Sequence, residues 1–186
     1  RWKYALVEAS RPGEYYPVEE DERGTYIMNS KDLCLLPHLD EVVDCGIDSL
    51  KIEGRMKSVH YVASVVKAYR MALDACLTGP SYKVREEWLT ELEKVSHRAY
   101  TTGFFFGKTT GADQIYGSSS YEQSSDFIGL VRAYDPVTQL ATVEQRNNMK
   151  CGQEIEIFQP TRASFRQILD AMWDAEGSPI DAAPHP

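Results

Sequence analysis

The residues with the clearest chemical use lie in the run Glu53-Gly54-Arg55-Met56-Lys57. Arg55 can hold a carboxylate or a phosphate through two parallel hydrogen bonds. Lys57 can act as a point charge for an anion. Ser58 beside it is a good N-cap, and a helix N-terminus favours negative charge. Glu53 can serve as a base or orient Arg55. The same residues can also form an ion-paired turn that only caps a helix, and spacing alone leaves both readings open. Cys34 and His38 are a second pair, four residues apart. A Cys/His nucleophile needs its thiolate held against the imidazole. Pro37 weakens the helix that would align them, and no Asn or Asp third member can be assigned. A lone cysteine among apolar residues is more often core. Cys45 and Cys76 each fall on an apolar stripe, and Cys151 lies beside a turn. A third set has the basic and aromatic groups that nucleic-acid surfaces use: Lys51, Arg55, Lys57, Lys67 and Arg70 with Tyr61 and Tyr69. A solvated helix face is the simpler account of it. The acidic run Glu19-Glu20-Asp21-Glu22 reads as a solvated loop before a metal site.

The elements that position these residues are legible nearby. Pro37 suits a first helical turn, Leu39, Val42 and Val43 recur at helical spacing, and Gly46 is a natural stop. Ser49-Leu50-Lys51-Ile52 reads as a short strand. Val62, Val65, Val66, Tyr69, Ala72, Leu73 and Cys76 form one stripe of a long helix that Gly79-Pro80 ends. The charged run therefore sits at a strand-to-helix junction, where parallel α/β folds place their chemistry. Lys3 to Val7 predicts a strand, and Arg11-Pro12-Gly13-Glu14 a turn. Lys83 to Val95 predicts a helix burying Trp88, Leu89, Leu92 and Val95, with Glu86, Glu87, Glu91 and Lys94 facing solvent. Three phenylalanines between Gly103 and Gly107 suggest a buried plug. The polar stretch 108–126 reads as a linker between a domain over 1–107 and another over 127–186.

Beyond it the period becomes two. Phe127 to Tyr134, Ala141 to Gln145 and Glu154 to Gln159 predict strands, with turns at Asp135-Pro136, Asn147-Asn148, Gly152 and 174–179. Phe165 to Trp173 reads as a further strand or a helix, and period alone favours the helix. Short strands at this spacing predict a small β-barrel. The fold class is thus α/β followed by all-β.

A chain of 186 residues with net charge −8 can bury a core without disulfides and is not a general DNA-coating protein. From Lys108 on, six basic and eleven acidic residues give −5, which argues against general phosphate binding by the second domain. The four cysteines contain no CxxC pair and fit a reducing, cytoplasmic compartment. No apolar run approaches the ~18 residues of a membrane span. Opening on Arg1 within an apolar-rich stretch, the chain reads as a fragment or a processed product.

The run GTYIMNSKDLCLLPHLDEVVDCGIDSLKIEGRMKSVHYVASVVKAYR resembles the hallmark region of peptidase family U32. ATVEQRNNMKCGQEIEIFQP and MWDAEGSPIDAAPHP resemble its C-terminal barrel, which is similar to the second domain of translation elongation factors. The resemblance covers essentially the whole chain. It implies the last βα units of a TIM-barrel-like catalytic half, then connecting helices, then the appended barrel. Its members include collagenase-like peptidases and prephenate-dependent tRNA hydroxylation proteins. In the hydroxylating branches four cysteines hold an iron–sulfur cluster. Cys34, in the DLC motif, matches the last of them. The other three would lie before Arg1, so this chain alone is expected to hold no cluster and to be inactive. Glu53, Arg55 and Lys57 would then handle an anionic substrate, prephenate or RNA phosphate. The alternatives are a collagenase-like peptidase, for which no HExxH, GxSxG or triad is visible, and a non-catalytic RNA- or protein-binding barrel. A barrel half without its early strands leaves apolar edges exposed, so self-association is expected.

Overall fold

The computed structural model describes residues 4–184 except Arg23, Met28, Pro80 and 116–120. Helix and strand are mixed, in two compact units, Arg1–Ser124 and Ser125–Pro186. No helix of the described residues is long and apolar enough to cross a membrane.

In the first unit β1 (Tyr4–Val7), β2 (Tyr15–Asp21) and β3 (Gly24–Tyr26) form an antiparallel sheet in that order. Lys3 lies outside the described residues. Gly13, at φ 96°, makes the turn between β1 and β2. Glu19 and Glu20 are in β2, paired with Tyr26 and Thr25, and not in the loop their charge suggests. The ladder begun by the aromatic and β-branched residues before them carries through, and Glu20 still faces water.

Next, β4 (Asp32–Leu33) pairs in parallel with β5 (Tyr100–Thr101), which lies beyond three helices. These are α1 (Leu39–Asp44), α2 (Val59–Thr78) and α3 (Glu86–Glu93). A 3-10 turn over Leu36–His38 leads into α1, and Gly46 at φ 73° closes it. Ser58 caps α2 by accepting the Tyr61 N–H at 3.1 Å. The core packs Cys34, Leu36, Leu39 and Val42 against Val65, Ala68 and Ala72 of α2 and Trp88, Leu92 and Val95. Ala68 and Ala72 are one turn apart and fully buried, so the backbone of α2 can approach its neighbours closely.

Several expectations need correction. Ser49–Ile52 is no strand: it finds no ladder partner among the described residues. A strand needs a neighbouring backbone, which a local pattern cannot supply. Helix α3 begins at Glu86 because Arg85 is extended, with ψ 140°. Glu91 and Lys94 do not face solvent. They pair at 2.7 Å with side chains only 15% and 16% exposed. Of the three phenylalanines only Phe105 packs on the core, while Phe104 and Phe106 are 77% and 61% exposed. Positive φ at Gly103 (57°) and Gly107 (133°) folds this run into a turn, whose successive side chains diverge. The stretch expected as a linker is bonded into the first unit at both ends. Lys31 N–H donates to Asp113, Ile115 N–H to Asn29, and His97 and Glu122 exchange backbone bonds.

The second unit is built of antiparallel pairs. They are β6 (Gly129–Asp135) with β7 (Leu140–Gln145), β8 (Met149–Lys150) with β13 (Ala182–Ala183), β9 (Glu154–Ile157) with β10 (Phe165–Ile168), and β11 (Met172–Trp173) with β12 (Pro179–Ile180). The segment 165–173 therefore falls into two short strands, β10 and β11, which settles the strand-or-helix alternative against the helix its period favours. Leu169 exchanges backbone bonds of 2.9 Å with Gly152 and Gln153, and this pairing holds the segment extended. Asp174 Oδ1 accepts the N–H groups of Glu176 and Ser178 and shapes the next turn.

Candidate functional site

Cys34 directly follows β4, and its N–H donates to Thr101 O at 2.9 Å, so β5 fixes its backbone. Its side chain is 7% exposed. The partner of the thiol is Tyr69 of α2, not His38. The Tyr69 hydroxyl donates to Cys34 Sγ at 3.7 Å and accepts the Leu35 N–H at 3.1 Å. Burial first, then Cys34, pushes the Tyr69 hydroxyl far above the ordinary tyrosine range. His38 turns away to Glu41 Oε1 at 3.0 Å and lies edge-on to Phe106, so the Cys/His pairing is not formed. Cys45 is exposed and not on a buried stripe. Cys76 is half-buried, and burial followed by Asp40 and Asp44 raises its thiol. Cys151 reaches Ile180 O in the second unit.

Asp32, two residues before Cys34, grips Arg98. Its Oδ1 accepts from Nε at 3.0 Å and Nη2 at 2.8 Å, and its Oδ2 from the Arg98 N–H at 3.0 Å. Asn29 Oδ1 takes Nη1 at 3.2 Å. The Arg98 guanidinium also lies 5.8 Å from the Tyr121 ring centroid. On that same ring, at 3.8 Å, sits Lys57 Nζ, which is 5.2 Å from the Tyr61 ring and donates to Ser96 O at 2.9 Å. The charge of Lys57 is thus already engaged by a carbonyl and two π-faces.

Glu53 Oε1 accepts the Arg55 N–H at 3.0 Å and so braces the turn. Arg55 itself is exposed, and its guanidinium has no hydrogen-bond or ion-pair partner among the described residues. Gly54 is required by close approach: a Cβ there would meet Val62 Cγ2 at 2.9 Å. Tyr61 links turn and thiol. Burial first, then Asp32, Cys34, Glu53 and Tyr121, raises its hydroxyl above the usual range, so all four lie within its electrostatic reach. Glu53 of the turn and Cys34, 19 residues apart by number, thus both act on Tyr61.

Of the broader basic set, Lys67 is buried and Arg70 pairs with Asp74, so these residues do not form one cationic face. Asp32, Tyr69, Arg98 and Tyr121 carry no sequence signal as strong as the charged turn. Tyr69 falls in the apolar stripe of α2. Its one clue is the hydroxyl, which a buried tyrosine must satisfy.

The arrangement offers a shielded thiol with a hydroxyl donor and, on the Glu53–Lys57 turn, an unengaged guanidinium that can take an anion. Residues 1–115 match peptidase family U32, and residues 123–186 match the peptidase family U32 C-terminal domain. The chain is 40% identical to tRNA hydroxylation protein P1 of Bacillus subtilis over 100% of its own length and 44% of that protein. It is 36% identical to tRNA hydroxylation protein P of Escherichia coli, over 97% of its length and 39% of that protein. It is 30% identical to a collagenase of Porphyromonas gingivalis, over 82% of its length and 43% of that protein. It thus spans less than half the length of these relatives. With residues 1–115, well over half of the chain, matching the family and residues 123–186 its C-terminal domain, the chain belongs to peptidase family U32.

Proposed function

We propose that this chain is part of a protein that hydroxylates tRNA at a wobble uridine, with prephenate as co-reactant and an iron–sulfur cluster. The observation that carries this reading is the 40% identity to the Bacillus subtilis tRNA hydroxylation protein P1 along the whole chain. The site chemistry supports it. Cys34 is a buried thiol with a hydroxyl donor on its sulfur, and thiolates are the ligands such clusters take. It fits one corner of a four-cysteine set. Among the described residues no group of three or more His, Cys, Asp or Glu is placed to hold a metal. The other three ligands belong, in this reading, to further length of a longer chain. A bound cluster would carry single electrons. The residues of this chain do the rest. Tyr69 and β5 fix the thiol, Arg55 binds a prephenate carboxylate or an RNA phosphate, Glu53 braces Arg55, and Lys57 ties the turn to Ser96. The parallel β4–β5 pair and its helices are, in this reading, the last βα units of a TIM-barrel-like half, and the second unit is an elongation-factor-like β-barrel.

The second reading, a collagenase-like peptidase, rests on the Porphyromonas gingivalis match. The site offers it less, because Cys34 faces a tyrosine where a cysteine nucleophile needs an imidazole. The deciding experiment is analysis of tRNA from cells lacking the gene. Loss of the wobble-uridine hydroxyl is expected, and unchanged tRNA would overturn the reading. Proteolysis by the full-length protein that survives Cys34→Ala and iron chelation would establish the alternative.

A further inference from the structure

We propose that Tyr69 is a positioning residue for the Cys34 sulfur, donating the hydrogen bond that aims it and sets the reduction potential of the cluster it ligates. This rests on the cluster reading above. The Tyr69 oxygen already accepts the Leu35 N–H at 3.1 Å. Its own O–H is therefore turned toward Cys34 Sγ at 3.7 Å. The sulfur is approached from two sides of the fold. Backbone bonding to Thr101 on β5 fixes where Cys34 starts, and a hydroxyl from the middle of α2 fixes where it points. Tyr69 is 35 residues away in sequence and packs against the core, so the contact is held by tertiary packing and not by a local turn. Sulfur that accepts a hydrogen bond gives less electron density to iron, which favours the reduced cluster.

Nearby Tyr82 supplies an internal control. Its hydroxyl also comes from outside the Cys34 loop, but it donates to Leu36 O. It supports the same loop without being bonded to the sulfur.

The test uses the full-length protein purified without oxygen, unsubstituted and as Tyr69→Phe and Tyr82→Phe. Iron and sulfide content and the reduction potential are measured for each. Tyr69→Phe is expected to keep its iron and to disfavour the one-electron reduction about tenfold, roughly 59 mV more negative. Tyr82→Phe is expected to leave the potential unchanged. Loss of iron from Tyr69→Phe alone also supports the assignment, since the hydroxyl then holds the ligand in place. Equal effects of the two substitutions, or unchanged iron and potential in Tyr69→Phe, overturn it. An unsubstituted protein without iron overturns the cluster reading itself, and is told apart by the first measurement.

Discussion

At the scale of single residues, two cations only two positions apart in the chain, Arg55 and Lys57, do opposite jobs. Lys57 donates to Ser96 O and rests over Tyr121, so its substitution acts on stability. Lys57→Ala is expected to cost about 1–2 kcal/mol, the loss of one charged hydrogen bond and a cation–π contact, read from chemical denaturation. Arg55 is exposed and has no partner among the described residues, so its removal should leave stability within about 0.5 kcal/mol. Arg55→Ala in the full-length protein should instead weaken anion binding about tenfold or more, and Arg55→Lys should recover only part, because a lysine lacks the two-point fork. Titration with prephenate and with tRNA separates the two anions. An unchanged affinity for both removes Arg55 from the site. Asp32 belongs with Lys57. It fills three donors of Arg98 in a half-buried setting, and Asp32→Ala should destabilise by about 1–3 kcal/mol by leaving them unmet.

At the scale of elements, helix α2 joins core and site. Its cap, its stop and its apolar stripe are all legible in the sequence, since each depends on residues close in the chain. What is not legible is what the helix reaches. Tyr69 to Cys34, Arg98 to Asp32 and Lys57 to Ser96 are contacts between distant segments, and no local period encodes them. The strand reading of Ser49–Ile52 misses, and the strand-or-helix choice over 165–173 stays open in the sequence, for the same reason: partner backbones decide both. The elements also make the first unit sensitive to alkali. Four tyrosines, Tyr61, Tyr69, Tyr82 and Tyr100, are raised chiefly by burial, Tyr82 to about 12. An unfolded tyrosine loses its proton near 10. Between those values the folded state holds the proton and the unfolded state does not. The stabilisation is therefore complete below pH 10 and is lost as pH rises from 10 toward 12. Denaturation midpoints should fall steeply over that window, together with the appearance of phenolate absorbance. Tyr82→Phe should lose about 1 kcal/mol at neutral pH with its bond to Leu36 O, yet show a shallower alkaline decline. An equal slope in both proteins would place the titrating group elsewhere.

At the scale of the whole molecule, the question is what covers the first unit. The residues after α1 and one side of α2 form an open groove of about 420 Å³, lined by Val43, Ile47, Leu50, Ile52, Val66 and Leu73. Val66, Ile47 and Leu50 are each more than a third exposed, and neighbouring Leu77 is 65% exposed. Ser49, Leu50 and Ile52 of this lining belong to a segment without a ladder partner among the described residues. Apolar surface of this kind next to unpaired backbone favours association. The Bacillus subtilis and Escherichia coli relatives are more than twice as long, and in the reading proposed above further length of a longer chain covers this groove. The chain of 186 residues should use another copy in its place. Sedimentation equilibrium at tens of micromolar is expected to give a mass above the 21.1 kDa of one chain. Val66→Glu should return it to the monomer with little loss of helix, because Val66 is half-exposed and its charge then meets water. In the full-length protein the same substitution should do the reverse. There it would bury an unpaired carboxylate and cost several kcal/mol, seen as a lowered unfolding midpoint. A monomeric mass for the 186-residue chain, with a full-length protein indifferent to Val66→Glu, would mean that nothing seats on this groove in either form.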